Sequence, residues 1–255
     1  MIKKLKGFNI NYLLIMDDNY EFYCLSFNNK ERKESMMSRF EKIGIPCNFY
    51  EGVTFDDHRI ANRMNPNVTG RWSCAYGHLD MIHNFYHNST KEFGVFCEDD
   101  LLIHKDLKSF MPKITKDFKE LNLDVLLLSS LLPFKMNEQI PGFKRKSTSY
   151  INSIDKEYNY YNFVNEVWGT QMYMVSKKQA GVLLDKYYTD YADMSLNNPD
   201  MTPFSADWTL TKDGNRAMIF PMFASENNLK FYEDYNQQVY HDKCYFVNFD
   251  KDNFI

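Results

Sequence analysis

Short apolar runs alternate with segments of helical hydrophobic period along this chain, and this alternation limits the possible folds more than any other feature. Strands that are each followed by a helix form a mainly parallel sheet with helices on both faces, with ligands bound at the carboxyl ends of the strands. We therefore expect one α/β domain of that architecture. The predicted strands are 21–27, 45–53, 94–97, 124–128, 171–175 and 217–220, and the predicted helices are 30–43, 73–86 and 177–188.

Three segments lack a sustained period and are interpreted as an extension or as loops. Residues 1–20 precede the first strand and are predicted to be an N-terminal extension. Long segments without a period inside a compact domain are typical of lids or flexible loops. We expect such loops at 133–166 and 189–205.

Charge and cysteine usage restrict the possible partners and compartment. The 255-residue chain has a net charge of −4, which disfavours nucleic acid and anionic membranes as partners. Its five cysteines form no CxxC pair, which favours reduced thiols. The apolar run at 12–16 is too short for a signal peptide or a membrane span. These features predict a cytoplasmic or cytosol-like location without an integral membrane segment.

Three consecutive carboxylates, Glu98, Asp99 and Asp100, follow the predicted strand at 94–97. Because side chains alternate along a strand, we expect Glu98 and Asp100 on one side and Asp99 on the other. Two carboxylates on one side repel each other unless a cation lies between them, and hard divalent cations prefer oxygen ligands. The triplet therefore predicts a metal site with Glu98 and Asp100 as ligands, and a solvated acidic turn is the alternative.

Polar residues also lie where the first strand meets its helix, which is the usual place for a nucleotide in an open α/β sheet. An ion pair with a neighbouring glutamate is the alternative for the arginine in this segment. Gly169 and Thr170 precede a later strand, where a glycine lets the backbone approach a ligand closely, or simply begins the strand. The residues predicted to contact the nucleotide at the first junction are Phe27, Asn28, Asn29 and Arg32.

Five short segments, in order along most of the chain, carry a family resemblance. They are 23–32 (YCLSFNNKER), 73–79 (SCAYGHL), 95–101 (VFCEDDL), 168–176 (WGTQMYMVS) and 206–208 (ADW). Together they resemble glycosyltransferase family 25, the lipooligosaccharide and collagen galactosyltransferase type. The chain departs from the family pattern at Ser73 and Gly77, where the family has Gly and Ser, and residues 133–166 have no clear counterpart. We expect these departures to affect the identity of the acceptor more than the type of reaction.

The resemblance implies a GT-A (Rossmann-like) fold and an inverting transferase. It implies transfer of galactose or glucose from a UDP-sugar to a hydroxyl of a glycan or protein acceptor, with Mn²⁺ or Mg²⁺ as cofactor. Asp207 is then the candidate base, with a helix N-cap or a salt bridge as its alternative role. His241 is a candidate third metal ligand, with a lone surface histidine as the alternative. Asp99 and His78 are expected near the donor, although His78 could instead brace the core.

Two other functions are compatible with the same sequence. A catalytically inactive relative would keep the fold and bind a glycan without UDP or metal. A metal-dependent nucleotidyltransferase would release pyrophosphate instead of UDP, although the chain has no Gly-rich phosphate loop that would support this function.

Overall fold

The structure is a computed structural model that describes residues 19–61, 66–136, 140–148, 157–227 and 232–255. The predicted N-terminal extension, apart from its last two residues, and part of the predicted loop at 133–166 lie outside these residues.

Ten strands are present in the described part of the chain, and eight of them form one mixed sheet in the order β2-β1-β3-β8-β5-β9-β7-β6. Only β8 and β7 run against the common direction, so six of the eight strands point the same way. The predicted mainly parallel sheet is confirmed. The strands are β1 (Tyr20–Ser26), β2 (Cys47–Glu51), β3 (Phe93–Glu98), β4 (Leu101–Ile103), β5 (Val125–Leu127), β6 (Arg145–Lys146), β7 (Asn159–Tyr161), β8 (Met172–Ser176), β9 (Arg216–Phe220) and β10 (Ala224–Glu226), with β4 and β10 paired in a second small sheet.

Seven helices are present in the described ranges. They are α1 (Lys30–Ile43), α2 (Pro66–Asn88), α3 (Leu107–Glu120), α4 (Lys177–Tyr187), α5 (Tyr191–Asn197), α6 (Ala206–Thr209) and α7 (Tyr235–Asn248). None of these helices combines the length and the apolar character needed to cross a membrane.

Helix α1 illustrates how the local sequence sets the ends of an element. The side chain of Asn29 accepts a hydrogen bond from the backbone N–H of Arg32, which satisfies one of the free donors of the first turn. At the other end Gly44 takes a left-handed conformation with φ of 67°, which glycine adopts without a steric penalty. Met36 and Phe40 are buried between these caps. The helix has the predicted bounds.

Two apolar cores lie on opposite faces of the large sheet, because side chains alternate along each strand. On β3, Val95 and Cys97 belong to the core that includes α1 and α3, whereas Phe96 belongs to the core that includes α2 and α4. The predicted covering of both sheet faces by helices is therefore confirmed.

Several elements differ from the expectations from sequence. Helix α3 occupies a segment for which no element was predicted, and α7 occupies the polar C-terminal segment. The predicted loop at 189–205 contains α5, with Tyr191 and Ala192 buried. Strands β6 and β7 lie within the predicted loop at 133–166, where each is too short to carry a readable period. These two loop predictions were therefore wrong in part.

Candidate functional site

The candidate site forms where three neighbouring strands end or begin at one edge of the sheet. Strands β1 and β3 are adjacent and parallel, with Leu25 opposite Glu98, so their carboxyl ends coincide. The antiparallel strand β8 begins at the same edge, and the backbone N–H of Glu98 bonds the carbonyl of Gln171 at 3.2 Å. Residues distant in sequence therefore meet at this edge.

The carboxylates of Asp99 and Asp100 converge on one guanidinium. Arg32 pairs with Oδ1 of Asp99 and, at 2.8 Å, with Oδ2 of Asp100. Ser26 donates a hydrogen bond of 2.6 Å to Asp99. Each aspartate is only 4% exposed. Burial raises the pKa of Asp99, and the hydrogen bond from Ser26 and the charge of Arg32 oppose that rise.

The alternation expected for the acidic triplet does not extend beyond Glu98. Strand β3 ends at Glu98 and the next two residues form a bend, so the period of two no longer applies to Asp99 and Asp100. Both aspartates reach the same cation, and the expected separation of Asp99 from Asp100 was wrong. Arg32 pairs with these aspartates and not with a neighbouring glutamate.

Glu98 lies in a second group of polar side chains. The hydroxyl of Thr170 is 3.2 Å from Oε1 of Glu98 and 2.9 Å from Oδ1 of Asp207, and its single proton serves one carboxylate at a time. His78, which is fully buried, has its Nε2 atom 3.8 Å from Oε1 of Glu98. The structure thus brings together four of the predicted site residues across three elements and the segment before β8.

Asp207 is held through one oxygen. Its Oδ1 atom accepts from the backbone N–H groups of Gly169 at 2.9 Å and Thr170 at 3.1 Å, and from the Thr170 hydroxyl. None of the described residues donates a hydrogen bond to Oδ2. Burial, followed by the charge of Glu98, raises the pKa of Asp207. The N-cap of α6 is Ser205, so the alternative of Asp207 as an N-cap was wrong.

Gly169 has a packing role in addition to its hydrogen bond. A Cβ atom at this position would lie 2.5 Å from Cδ1 of Leu127, closer than side-chain carbons approach each other. The glycine therefore allows the segment before β8 to pass over the end of β5, which delivers the backbone N–H group to Asp207.

His241 is buried on α7, at 8% exposure, so the alternative of a lone surface histidine was wrong. Its Nδ1 atom lies 2.6 Å from Oε2 of Glu226, and its ring stacks on Tyr232 at 4.1 Å. Tyr232 in turn donates a hydrogen bond of 2.8 Å to Glu226. The Nε2 atom of His241 is buried without a hydrogen-bond partner among the described residues. An imidazole fixed at Nδ1 by a carboxylate, with Nε2 available, is the usual arrangement of a metal-binding histidine.

Strand β10 connects His241 to the acidic triplet. Glu226 pairs with Leu101 across β10 and β4, and the backbone N–H of Asn227 bonds the carbonyl of Asp100 at 2.8 Å. Glu226, which contacts His241, therefore lies opposite Leu101, the residue that follows Asp100.

Three residues of this region were not predicted. Glu226 and Tyr232 carry no sequence signal, because their role depends on contacts with α7. Lys212 lies close to Asp207, and burial lowers the pKa of its amine to about 8, while the charge of Asp207 opposes this shift. Its position five residues after Asp207 is the one clue that the sequence contains.

Two cavities open beside the Arg32–Asp99 pair, which lines both. One, of about 490 Å³, lies along α1 and includes Asp100. The other, of about 220 Å³, includes Glu98 and Phe27. The exposed rings of Phe27 and Phe55 lie 5.7 Å apart at this second cavity. Of the remaining residues predicted at the first junction, Asn29 lines the first cavity and caps α1, and Asn28 has a positive φ of 47°.

Comparison with known proteins identifies the family. The model of "Glycosyltransferase family 25 (LPS biosynthesis protein)" matches residues 19–196, well over half of the chain. The chain belongs to glycosyltransferase family 25. In this family 25 glycosyltransferase the match includes the acidic triplet, α2 and β8, and it ends before Asp207 and His241.

The comparisons with curated proteins and solved structures add little to this assignment. No curated protein matches the chain. Mannose-1-phosphate geranyltransferase from Thermus thermophilus is 12% identical, with a TM-score of 0.44 over 82% of this chain and 76% of its own. HddC from Yersinia pseudotuberculosis is 11% identical, with a TM-score of 0.31 over 77% and 68%. At these values, the likeness supports no inference about the site.

Proposed function

We propose that this chain is an inverting glycosyltransferase that moves galactose or glucose from a UDP-sugar to a hydroxyl of a glycan or protein. The main observation behind the proposal is that the hydroxyl of Thr170 contacts the carboxylates of both Asp207 and Glu98. These groups lie beside the buried Asp99–Asp100 pair. This arrangement offers a base and a cation-binding group at the same sheet edge. Membership of family 25 supports the transfer reaction, and the donor and the inversion are part of the proposal.

The residues fit a divalent cation. Two buried carboxylates already converge on the positive charge of Arg32, which marks a position where a cation is favoured. The Nε2 atom of His241, buried without a hydrogen-bond partner among the described residues, adds a nitrogen donor, and Glu226, which contacts the ring, pairs with Leu101, the residue after Asp100. Asp100, with Asp99 beside it, and His241 would hold Mn²⁺ or Mg²⁺, whereas Glu98, the other predicted ligand, lies in the group with Thr170 and His78. Such a cation, when bound, supplies Lewis-acid stabilisation to the departing nucleotide diphosphate.

Residues on the nucleotide side would bind the donor. The exposed rings of Phe27 and Phe55 offer stacking surfaces for a base. The N-terminus of α1, capped by Asn29, and the guanidinium of Arg32 favour the negative charge of a diphosphate.

Asp207 would take the proton of the acceptor hydroxyl. Oδ1 is fixed by three donors while Oδ2 remains available, so the carboxylate is oriented without being fully bonded. A raised pKa makes a carboxylate a stronger base near neutral pH. The same shift moves the acid limb of the activity profile to higher pH than an ordinary aspartate would give.

The test is UDP release from UDP-galactose and UDP-glucose with a panel of glycan acceptors, with Mn²⁺ or with EDTA. We expect metal-dependent UDP release and a product of inverted anomeric configuration by NMR. Asp207→Asn should lower kcat by about 10²–10⁴-fold, the range of general base catalysis, with a smaller effect on the donor KM. Asp185→Asn, at an exposed position on α4, is the matched control and should keep wild-type kinetics.

Three outcomes would contradict the proposal. Activity that EDTA leaves unchanged would show that the transfer does not depend on a metal. Pyrophosphate as the product would indicate nucleotidyl transfer, and glycan binding by calorimetry without any UDP release would indicate an inactive relative.

A further inference from the structure

A second cluster of metal-ligand type lies behind the acidic triplet. Cys74 and His78 are four residues apart on α2, so they share one helix face. Glu98 faces them from the end of β3, and one ligand atom of each residue lies within 4.8 Å of the other two. Cys74 and Glu98 also line the cavity of about 220 Å³ described above.

His78 provides the main evidence that this cluster binds a ligand. It has no solvent exposure, and its Nδ1 atom lies 3.1 Å from the hydroxyl of Tyr173. Its Nε2 atom is buried without a hydrogen-bond partner among the described residues and lies 3.8 Å from Oε1 of Glu98. Burial raises the pKa of Tyr173, which keeps this hydroxyl protonated. The imidazole is therefore held at one nitrogen, while the other faces the thiol and the carboxylate.

The chemistry of the three ligands selects a different metal from the one at Asp100. A thiolate, an imidazole and a carboxylate form a typical zinc set, whereas Mn²⁺ and Mg²⁺ prefer oxygen ligands. With zinc–ligand bonds of about 2.0–2.3 Å, ligand atoms of a tetrahedral site lie roughly 3.3–3.8 Å apart. For a nitrogen and an oxygen ligand the separation is about 3.3–3.5 Å. The distance of 3.8 Å between His78 and Glu98 is a few tenths of an ångström longer, so the Glu98 side chain would have to move by that amount to close the site.

We propose that Cys74, His78 and Glu98 form a zinc site with a fourth position open to the cavity. Three protein ligands and one open position are the arrangement of reactive zinc sites, while structural sites are closed by four. Zinc bound here would engage the carboxylate of Glu98 that otherwise contacts Thr170. Zinc would therefore inhibit transfer, an effect that rests on the proposed function, although the binding itself does not.

The test uses Co²⁺ as a spectroscopic probe on the full chain after removal of metals by a chelator. We expect one equivalent to bind with visible bands of tetrahedral cobalt and a near-ultraviolet thiolate charge-transfer band. Cys74→Ser should abolish the charge-transfer band. Cys47→Ser, which changes a half-buried thiol on β2 outside the cluster, should keep it. A spectrum unchanged in Cys74→Ser, or the absence of saturable binding, would overturn the site.

A second measurement needs no variant. Zinc at one equivalent should protect Cys74 of the wild-type protein from alkylation by iodoacetamide, read by peptide mass spectrometry, and equal labelling with and without zinc would reject the proposal. If UDP release is observed, zinc should inhibit the wild type at least tenfold more strongly than Cys74→Ser. If no UDP release is observed, the cobalt and alkylation results still decide the site, so failure of the two proposals is distinguishable.

Discussion

At the scale of single residues, Arg32 joins the two parts of the candidate site. Its guanidinium contacts Asp99 and Asp100, whose side chains are almost completely buried, while its own side chain is about one-third exposed at 34%. Buried carboxylates are costly unless a positive charge compensates them. Arg32 therefore occupies the position that the proposed divalent cation would share, and the two should compete for the same oxygens.

Arg32→Gln tests this competition. Without Mn²⁺ the variant should be destabilised, because two buried carboxylates lose their counter-charge. Removal of one partner of a fully buried pair costs about 3–5 kcal/mol, and we expect less here because Arg32 is partly exposed. Mn²⁺ should then raise the Tm of the variant by more than it raises the Tm of the wild type, measured by calorimetry.

The matched control is Lys33→Gln, which removes the neighbouring cation that pairs with the exposed Glu51 at 3.4 Å. It should leave both Tm and the Mn²⁺ response unchanged. An equal Mn²⁺ response in Arg32→Gln and wild type would mean that guanidinium and metal do not share the aspartates.

At the scale of elements, the contact between β10 and α7 completes the site. Glu226 at the end of β10 holds His241 of α7, and α7 is fixed to the rest of the molecule by two bonds to loop carbonyls. Tyr240 donates to the carbonyl of Leu131 at 3.0 Å, and Asn248 to that of Leu132 at 2.7 Å. The helix therefore positions the imidazole, and the carboxylate sets which nitrogen remains available.

Glu226→Gln is expected to weaken Mn²⁺ binding by about 10–100-fold, the usual effect of losing an outer-shell carboxylate. Glutamine retains the length and a hydrogen bond to His241 but not the negative charge. Isothermal titration with Mn²⁺ and the metal dependence of kcat are the measurements, and the Tm without metal reports any structural loss. Glu233→Gln, at an exposed position, is the control. Unchanged Mn²⁺ affinity with a lowered Tm would assign Glu226 a structural role alone.

The elements also show which signals were readable in the sequence. Helix α3 buries Leu107, Met111, Ile114 and Phe118 at helical spacing, a pattern that predicts a helix, but Pro112 in its interior argues against one. Helix α7 buries only His241 and Cys244, so it has almost no apolar stripe to detect. Helix α1, by contrast, has a capping residue at both ends and was predicted with its observed bounds.

At the scale of the whole molecule, the sequence predicted that the acidic triplet and the first junction each follow a strand, at the carboxyl ends where a parallel sheet binds its ligands. It could not predict contacts between distant segments. Thr170 and Glu98 are 72 residues apart in sequence, and the path of the chain over Leu127 that joins them depends on tertiary packing. The Glu226–His241 pair depends likewise on the docking of α7. The sequence alone therefore provided candidate ligands without their partners.

The buried carboxylate of Asp207 should make the molecule less stable at neutral pH than it would be without that charge. Burial raises the pKa of Asp207 in the folded protein. The stability linked to protonation of this carboxyl group is therefore complete below the pKa of the unfolded chain, about 3.9, and is lost as the pH rises through the pKa of the folded protein. Asp207→Asn keeps an oxygen acceptor for Gly169 and Thr170 and removes the charge. The variant should therefore be much less active but more stable at pH 7.

Calorimetry in EDTA, at pH 7 and at lower pH, measures this effect. A gain of 1 kcal/mol corresponds to a rise in Tm of about 2–4 °C for a chain of this size. The gap between Asp207→Asn and wild type should shrink as pH falls, because wild-type Asp207 becomes protonated, while Asp185→Asn should follow the wild type throughout. A Tm of Asp207→Asn below that of the wild type at pH 7 would mean that the three hydrogen bonds to the carboxylate outweigh the cost of its burial.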